Sequence, residues 1–172
     1  MTESSVLPAP RARTTSWLPL LGVAATVLLV DQLTKAWALR ALDDRSIDVV
    51  GSLRLHLVFN TGSAFSLASG FGPVLAVVGV VVVGILVVTG RDVQGWPARV
   101  ALGLVVGGAI GNLVDRALRE GDGVLRGAVV DFIDLQWWPV FNVADMAITV
   151  GAVLLALTFG RPSGADAGAR PA

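Results

Sequence analysis

Apolar residues in this chain come in long blocks instead of alternating with polar ones. Residues 71–90 carry no charge, and 140–159 carry only Asp145. Residues 96–114 include Arg99 near their start, and 17–39 are apolar up to Val30 before Asp31 and Lys35 appear. Crossing a hydrocarbon core of roughly 30 Å at about 1.5 Å per helical residue takes about 20 apolar residues. The pattern therefore predicts four transmembrane helices. Only helices and closed barrels satisfy their backbone hydrogen bonds in lipid, so the fold class is an all-α membrane bundle.

A different periodicity runs through the segments between spans, 40–70 and 115–139. Leu53, Leu55, Leu57 and Phe59 recur at a period of two, which places them on one face of a strand. Ile47 to Val50 is β-branched, and Gly51-Ser52 suits a tight hairpin turn. Ala128 to Leu135, after the turn-rich Gly121-Asp122-Gly123, is a third strand candidate. These predict a small extramembrane β-sheet on the outer face. Residues 1–160 read as one integral membrane domain. Met1 to Ser16 and residues 161–172, rich in Pro, Ala, Ser and Gly, read as disordered tails.

Arg11 and Arg13 before the first apolar run imitate a secretory signal, but Asp31-Gln32-Leu33-Thr34-Lys35 follows it in place of a small-residue cleavage site. The first helix is expected to be retained. Four spans put both termini on one side. The arginines divide evenly between the two sides, more densely on the terminal side, which leans towards cytoplasmic termini.

Composition narrows the chemistry. Only 15% of residues are charged, against about 25% in average soluble domains. Thirteen basic and 13 acidic side chains cancel, leaving no field for nucleic-acid binding. With no cysteine, no tyrosine and one histidine, disulfides, thiolate catalysis and multi-histidine metal sites are excluded. Acid–base work falls to Asp, Glu, Lys or His56, with no metal or cofactor predicted.

Ionisable groups in or beside spans are costly and need a reason. Asp31 and Lys35, four apart, share a helix face, as a local ion pair or as support for a polar site. Gly103, Gly107 and Gly111 form a small-residue stripe suited to close helix packing. Asn112 and Arg116 share a face expected to look into the bundle. Arg116 complements the helix dipole, whereas Asp115 opposes it and calls for a partner. Asn142 suits an N-cap, and Asp145 three residues on completes something like a capping box, so a structural reading of both stays open. If the third strand runs back to the membrane surface, however, Asp131 comes to face Asp145. Two carboxylates in a partly apolar site share one proton, so one can deprotonate a water while the other protonates a carbonyl oxygen.

Five blocks now stand in order: Asp31-Gln32-Leu33-Thr34-Lys35; Asn60-Thr61-Gly62-Ser63-Ala64-Phe65-Ser66; residues 107–116, Gly-Gly-Ala-Ile-Gly-Asn-Leu-Val-Asp-Arg; Val130-Asp131-Phe132; and Phe141-Asn142-Val143-Ala144-Asp145. In these the chain closely resembles bacterial lipoprotein signal peptidase, the type II signal peptidase. The resemblance implies a multi-pass aspartyl endopeptidase of the bacterial cytoplasmic membrane, with cytoplasmic termini and a site near the outer membrane surface. It implies cleavage of prolipoprotein signal peptides before a diacylglyceryl-modified cysteine, with that precursor and membrane lipids as partners. On its pattern Asp131 and Asp145 match the catalytic pair. Asn60, Gly62, Asn112, Arg116 and Asn142 match residues lining the site, and Asp31, Lys35 and Asp115 match its polar support. One bundle can hold the whole pair, so a monomer suffices.

Competing readings are a Ser-Lys or Ser-His hydrolase built from Ser63, Ser66, Lys35 and His56, and a small proton- or ion-coupled carrier using Asp31, Asp115 and Asp145. A non-catalytic scaffold would leave the polar blocks without a purpose.

Overall fold

The first apolar block forms helix α1, Leu18–Ala41, with Pro19 in its first turn, where a missing N–H has no partner to lose. A computed structural model of the chain describes residues 17–62, 72–90, 95–121 and 123–159. Strands β1 (Ile47–Val50) and β2 (Leu53–Asn60) follow, then helices α2 (Gly72–Thr89) and α3 (Trp96–Leu118), strand β3 (Val129–Asp134) and helix α4 (Val143–Phe159). The segments expected as tails, 1–16 and 161–172, lie outside the described residues, as do Ser63, Ser66 and Phe71.

Helix α3 lies between α1 and α4 and also touches α2. Its glycines permit this. A Cβ on Gly103 would sit 2.8 Å from the carbonyl oxygen of Leu20, and one on Gly107 2.6 Å from that of Ala24, both in α1. On the adjoining face a Cβ on Gly108 would sit 2.5 Å from the carbonyl oxygen of Ala144 in α4. No side chain fits those gaps, so the stripe sets how closely the helices approach. Leu20, Ala24, Leu102 and Val106 fill the seam between α1 and α3.

The strands form an antiparallel sheet in the order β1-β2-β3, with Gly51 at φ +56° in the β1–β2 turn. Leu55 and Leu57 pack with Ala38, Leu42, Val130 and Phe132, which fastens the sheet to the end of α1. The expected alternation does not run the length of β2. Leu55 pairs with Ile133 and Val58 with Asp131, so β2 carries one extra residue there. That bulge resets the faces, and Phe59 is 56% exposed instead of sharing the buried face.

Two element boundaries also differ from the sequence reading. Helix α3 runs to Leu118, beyond residue 114, so Asp115 and Arg116 lie buried in its last turns. Helix α4 starts at Val143, later than residue 140, because Phe141 is held in a bridge to Ile133. By length and composition α1 and α3 can each cross a bilayer; α2 and α4 are apolar but shorter, at 18 and 17 residues.

Candidate active site

Asp131 sits mid-strand in β3 and Asp145 in the first turn of α4. Both line one cavity of about 250 Å³, together with Asn60, Asn112, Arg116 and the apolar Ala76, Gly79 and Ile148. Sheet register brings Asn60 within reach: Val58 pairs with Asp131 and Asn60 with Val129, and Asn60 Nδ2 donates to Asp131 Oδ2 at 2.9 Å. Gly62 orients that carboxamide, since its backbone N–H donates to Asn60 Oδ1 at 2.9 Å. Its φ of +91° explains why glycine stands there.

Asn142 joins the two carboxylates. Its Nδ2 donates to Asp131 Oδ1 at 2.7 Å and its backbone N–H to Asp145 Oδ2 at 3.1 Å. In return Asp145 N–H donates to Asn142 Oδ1 at 2.9 Å, completing a capping box. The helix cap and the contact with Asp131 are thus one arrangement. Asn112 donates from Nδ2 to the remaining oxygen of Asp145, Oδ1, at 2.8 Å.

Burial is the main force on Asp131, which is 2% exposed, and pushes its pKa up to about 6. Hydrogen bonds from Asn60 and Asn142 oppose this, and the charge of Asp145 adds to it. Arg116, 6% exposed, supplies positive charge beside the pair, and its Nη1 has no hydrogen-bond partner among the described residues.

Beneath the cavity lies a buried charge cluster. Lys35 Nζ is 2.8 Å from Asp31 Oδ2 and 3.0 Å from Asp115 Oδ2, and donates to Asn112 Oδ1 at 2.9 Å. An ammonium has three donors, so Lys35 is fully engaged and is no general base for a serine. His56 Nδ1 meets Ser46 Oγ at 2.9 Å and borders a separate cavity with Asp43 and Asp44. Sequence reasoning passed over Gln32, whose Nε2 donates to Asp31, the Gly111 carbonyl and Asp115 at 3.2–3.3 Å. It also passed over Arg119, whose Nε lies 2.9 Å from Asp115 Oδ1; an amide in an apolar helix and i,i+4 spacing were the available signals.

A second cavity, about 490 Å³, adjoins the other side of Asp145 and is otherwise lined by Leu135, Trp137, Trp138, Phe141, Met146, Thr149 and Val150. Trp137 and Trp138 stand edge to face at its rim, 6.2 Å between centroids, and both are exposed.

The profile of a family described as signal peptidase (SPase) II matches residues 23–160. Over 154 residues the chain is 45% identical to a lipoprotein signal peptidase of Mycobacterium leprae (strain Br4923), spanning 88% of this chain and 73% of that one. Over 139 residues it is 49% identical to a lipoprotein signal peptidase of Mycobacterium avium (strain 104), spanning 79% and 75%. A bacterial membrane enzyme solved by the in meso method superposes with a TM-score of 0.71 at 26% identity, covering 89% of this chain and 94% of that one.

Proposed function

The chain belongs to the signal peptidase II family, and from that premise we propose that Asp131 and Asp145 are its reacting pair. It is a peptidase that removes signal peptides from prolipoproteins. One observation carries the assignment: two carboxylates from different elements, Asp131 buried and Asp145 half-buried, line one cavity and are bridged by a single asparagine. In the monoanionic pair, the ionised carboxylate takes a proton from water as the water oxygen attacks the scissile carbonyl carbon. The protonated partner gives its proton to the carbonyl oxygen. When the tetrahedral diol collapses, the C–N bond breaks, the proton taken from water passes to the leaving nitrogen, and a hydroxyl proton returns to the second carboxyl. Asn60, Asn112, Arg116 and Asn142 hold substrate and carboxylates in place, and Gly62 acts through Asn60.

Residues 1–160 form, on this reading, one domain of four spans in the bacterial cytoplasmic membrane, with cytoplasmic termini and the sheet on the outer surface. Exposed apolar faces support spans at α2 and α4 as well: Val77, Val81 and Ile85 on one, and Val150, Val153 and Leu157 on the other. One bundle contains both aspartates, so the working unit is a monomer. The bond cut precedes a diacylglyceryl-modified cysteine. The apolar cavity against Asp145 supports this, since it offers an acyl chain a lining next to the reacting carboxylate, with two exposed tryptophans, a residue type enriched at membrane interfaces, along it. The carrier reading has no support: of its three sites, Asp31, Asp115 and Asp145, the first two are paired with Lys35.

The test is a precursor-to-mature gel shift with wild type, Asp131→Asn and Asp145→Asn on lipidated and unlipidated prolipoprotein. Removing either half of the pair is expected to cost about 10³-fold or more, and only the lipidated precursor is cut. Near-normal cleavage by either variant would overturn the pair; equal cleavage of the unlipidated control would remove the lipid cavity from the reading.

A further inference from the structure

Asp31, Lys35 and Asp115 are at most 1% exposed, and none of them lines the catalytic cavity. A buried ion cluster stabilises a fold little better than apolar packing, because desolvation offsets the Coulomb attraction. Its geometry suggests another use. Asp31 Oδ2 faces Lys35, while its Oδ1 accepts the N–H of Ala144 at 3.0 Å, the residue directly before Asp145. Asp115 Oδ2 faces Lys35 and also accepts the N–H of Val130 at 3.0 Å, the residue directly before Asp131. The third acceptor on Lys35, Asn112 Oδ1, belongs to the amide whose Nδ2 holds Asp145. One ammonium therefore reaches the backbone before each reacting aspartate, and the side chain of one, through a single intermediary each time. Gly111 leaves room for this, since a Cβ there would lie 2.6 Å from Asp31 Oδ2.

We propose that Lys35 is a positioning residue for the hydrolysis, fixing the placement of Asp131 relative to Asp145 and the charge around them. The proposal rests on the reading of those aspartates as the reacting pair. Among the described residues the charged groups acting on the pair are Lys35 and Asp31 from α1 and Arg116 from α3, with Asp115 of α3 behind them against Lys35 and Arg116. Lys35 favours the ionised form of Asp131, so neutralising it lets Asp131 keep its proton to higher pH.

Lys35→Met alone would leave the buried Asp31 carboxylate without its cation, so the test uses Lys35→Met/Asp31→Asn, in which Asp115 keeps Arg119 as its cation. Lys35→Arg keeps the charge but not the reach to three acceptors. Full-length enzyme in lipid-detergent micelles is assayed for kcat, KM, pH profile and thermal unfolding on the lipidated precursor. The double variant is expected to unfold like wild type, with KM within about threefold and kcat lower by on the order of 10²-fold. Its alkaline limb moves to higher pH, while Lys35→Arg loses kcat with the limb unmoved. Wild-type kcat in the double variant overturns the proposal, and so does an equal loss at every pH with a fully active Lys35→Arg. Failure of both Lys35 variants to fold assigns the cluster to stability and overturns it too. Activity in Asp131→Asn or Asp145→Asn, measured separately, would instead strike at the reacting pair.

Discussion

Asn142 performs two tasks that substitution can separate. It is fully buried, caps α4 through the box with Asp145, and donates from Nδ2 to Asp131 at 2.7 Å and to Asn112 at 3.1 Å. Serine is as good an N-cap as asparagine but carries no amide donor, so Asn142→Ser keeps the cap and removes the bridge. Alanine removes both, and the difference between the two variants isolates the cap at about 1 kcal/mol. A hydrogen bond to a charged group contributes about 1.5–3 kcal/mol, which in a rate is roughly 10- to 150-fold. Asn142→Ser is therefore expected to lose kcat by that factor, and Asn142→Ala to lose it while unfolding about 1 kcal/mol more easily than the serine variant. Gel-shift kinetics on the lipidated precursor give the rate, and SDS titration followed by tryptophan fluorescence gives the stability. Cleavage by Asn142→Ser within about twofold of wild type would refute the bridge, being well below the range a charge-assisted bond predicts. Equal stability of the two variants would refute the cap.

The pH dependence of kcat/KM should have an alkaline limb with an apparent pKa near 6, belonging to the pair, because burial raises Asp131 to about 6 and turnover needs one proton between the two carboxyls. Asn60→Ala removes a hydrogen bond that favours the carboxylate, so that limb should move to higher pH; an unmoved or lowered limb would contradict the geometry. Gly111→Ala forces a Cβ to within 2.6 Å of Asp31 Oδ2 and is expected to cost about 1–3 kcal/mol in SDS titration. Its control, Gly22→Ala, meets nothing within 4 Å and should stay within about 0.5 kcal/mol of wild type.

What local periodicity encodes was legible in the amino-acid sequence. Apolar block length announced the helices, because a bilayer imposes a minimum run, and the glycine spacing along α3 announced its close neighbours. The Asn142–Asp145 box follows from i,i+3 geometry, and the β-branched and alternating segments marked all three strands. Asp115, a carboxylate opposing the dipole near a helix C-terminus, called for a partner that the sequence did not name. Arg119 reaches it by i,i+4 spacing as α3 runs on to Leu118, but only tertiary folding set Lys35 beside it. The extra residue in β2 leaves no mark in a period-two pattern, yet it sets the register that lets Asn60 reach Asp131. Gln32 reads as one more polar residue until α3 brings Gly111 and Asp115 to it. Spacing along one element fixes which residues share a face, but contacts between elements depend on how closely the backbones approach. Here that approach is decided by the glycines of α3 and by the charges buried beneath the cavity.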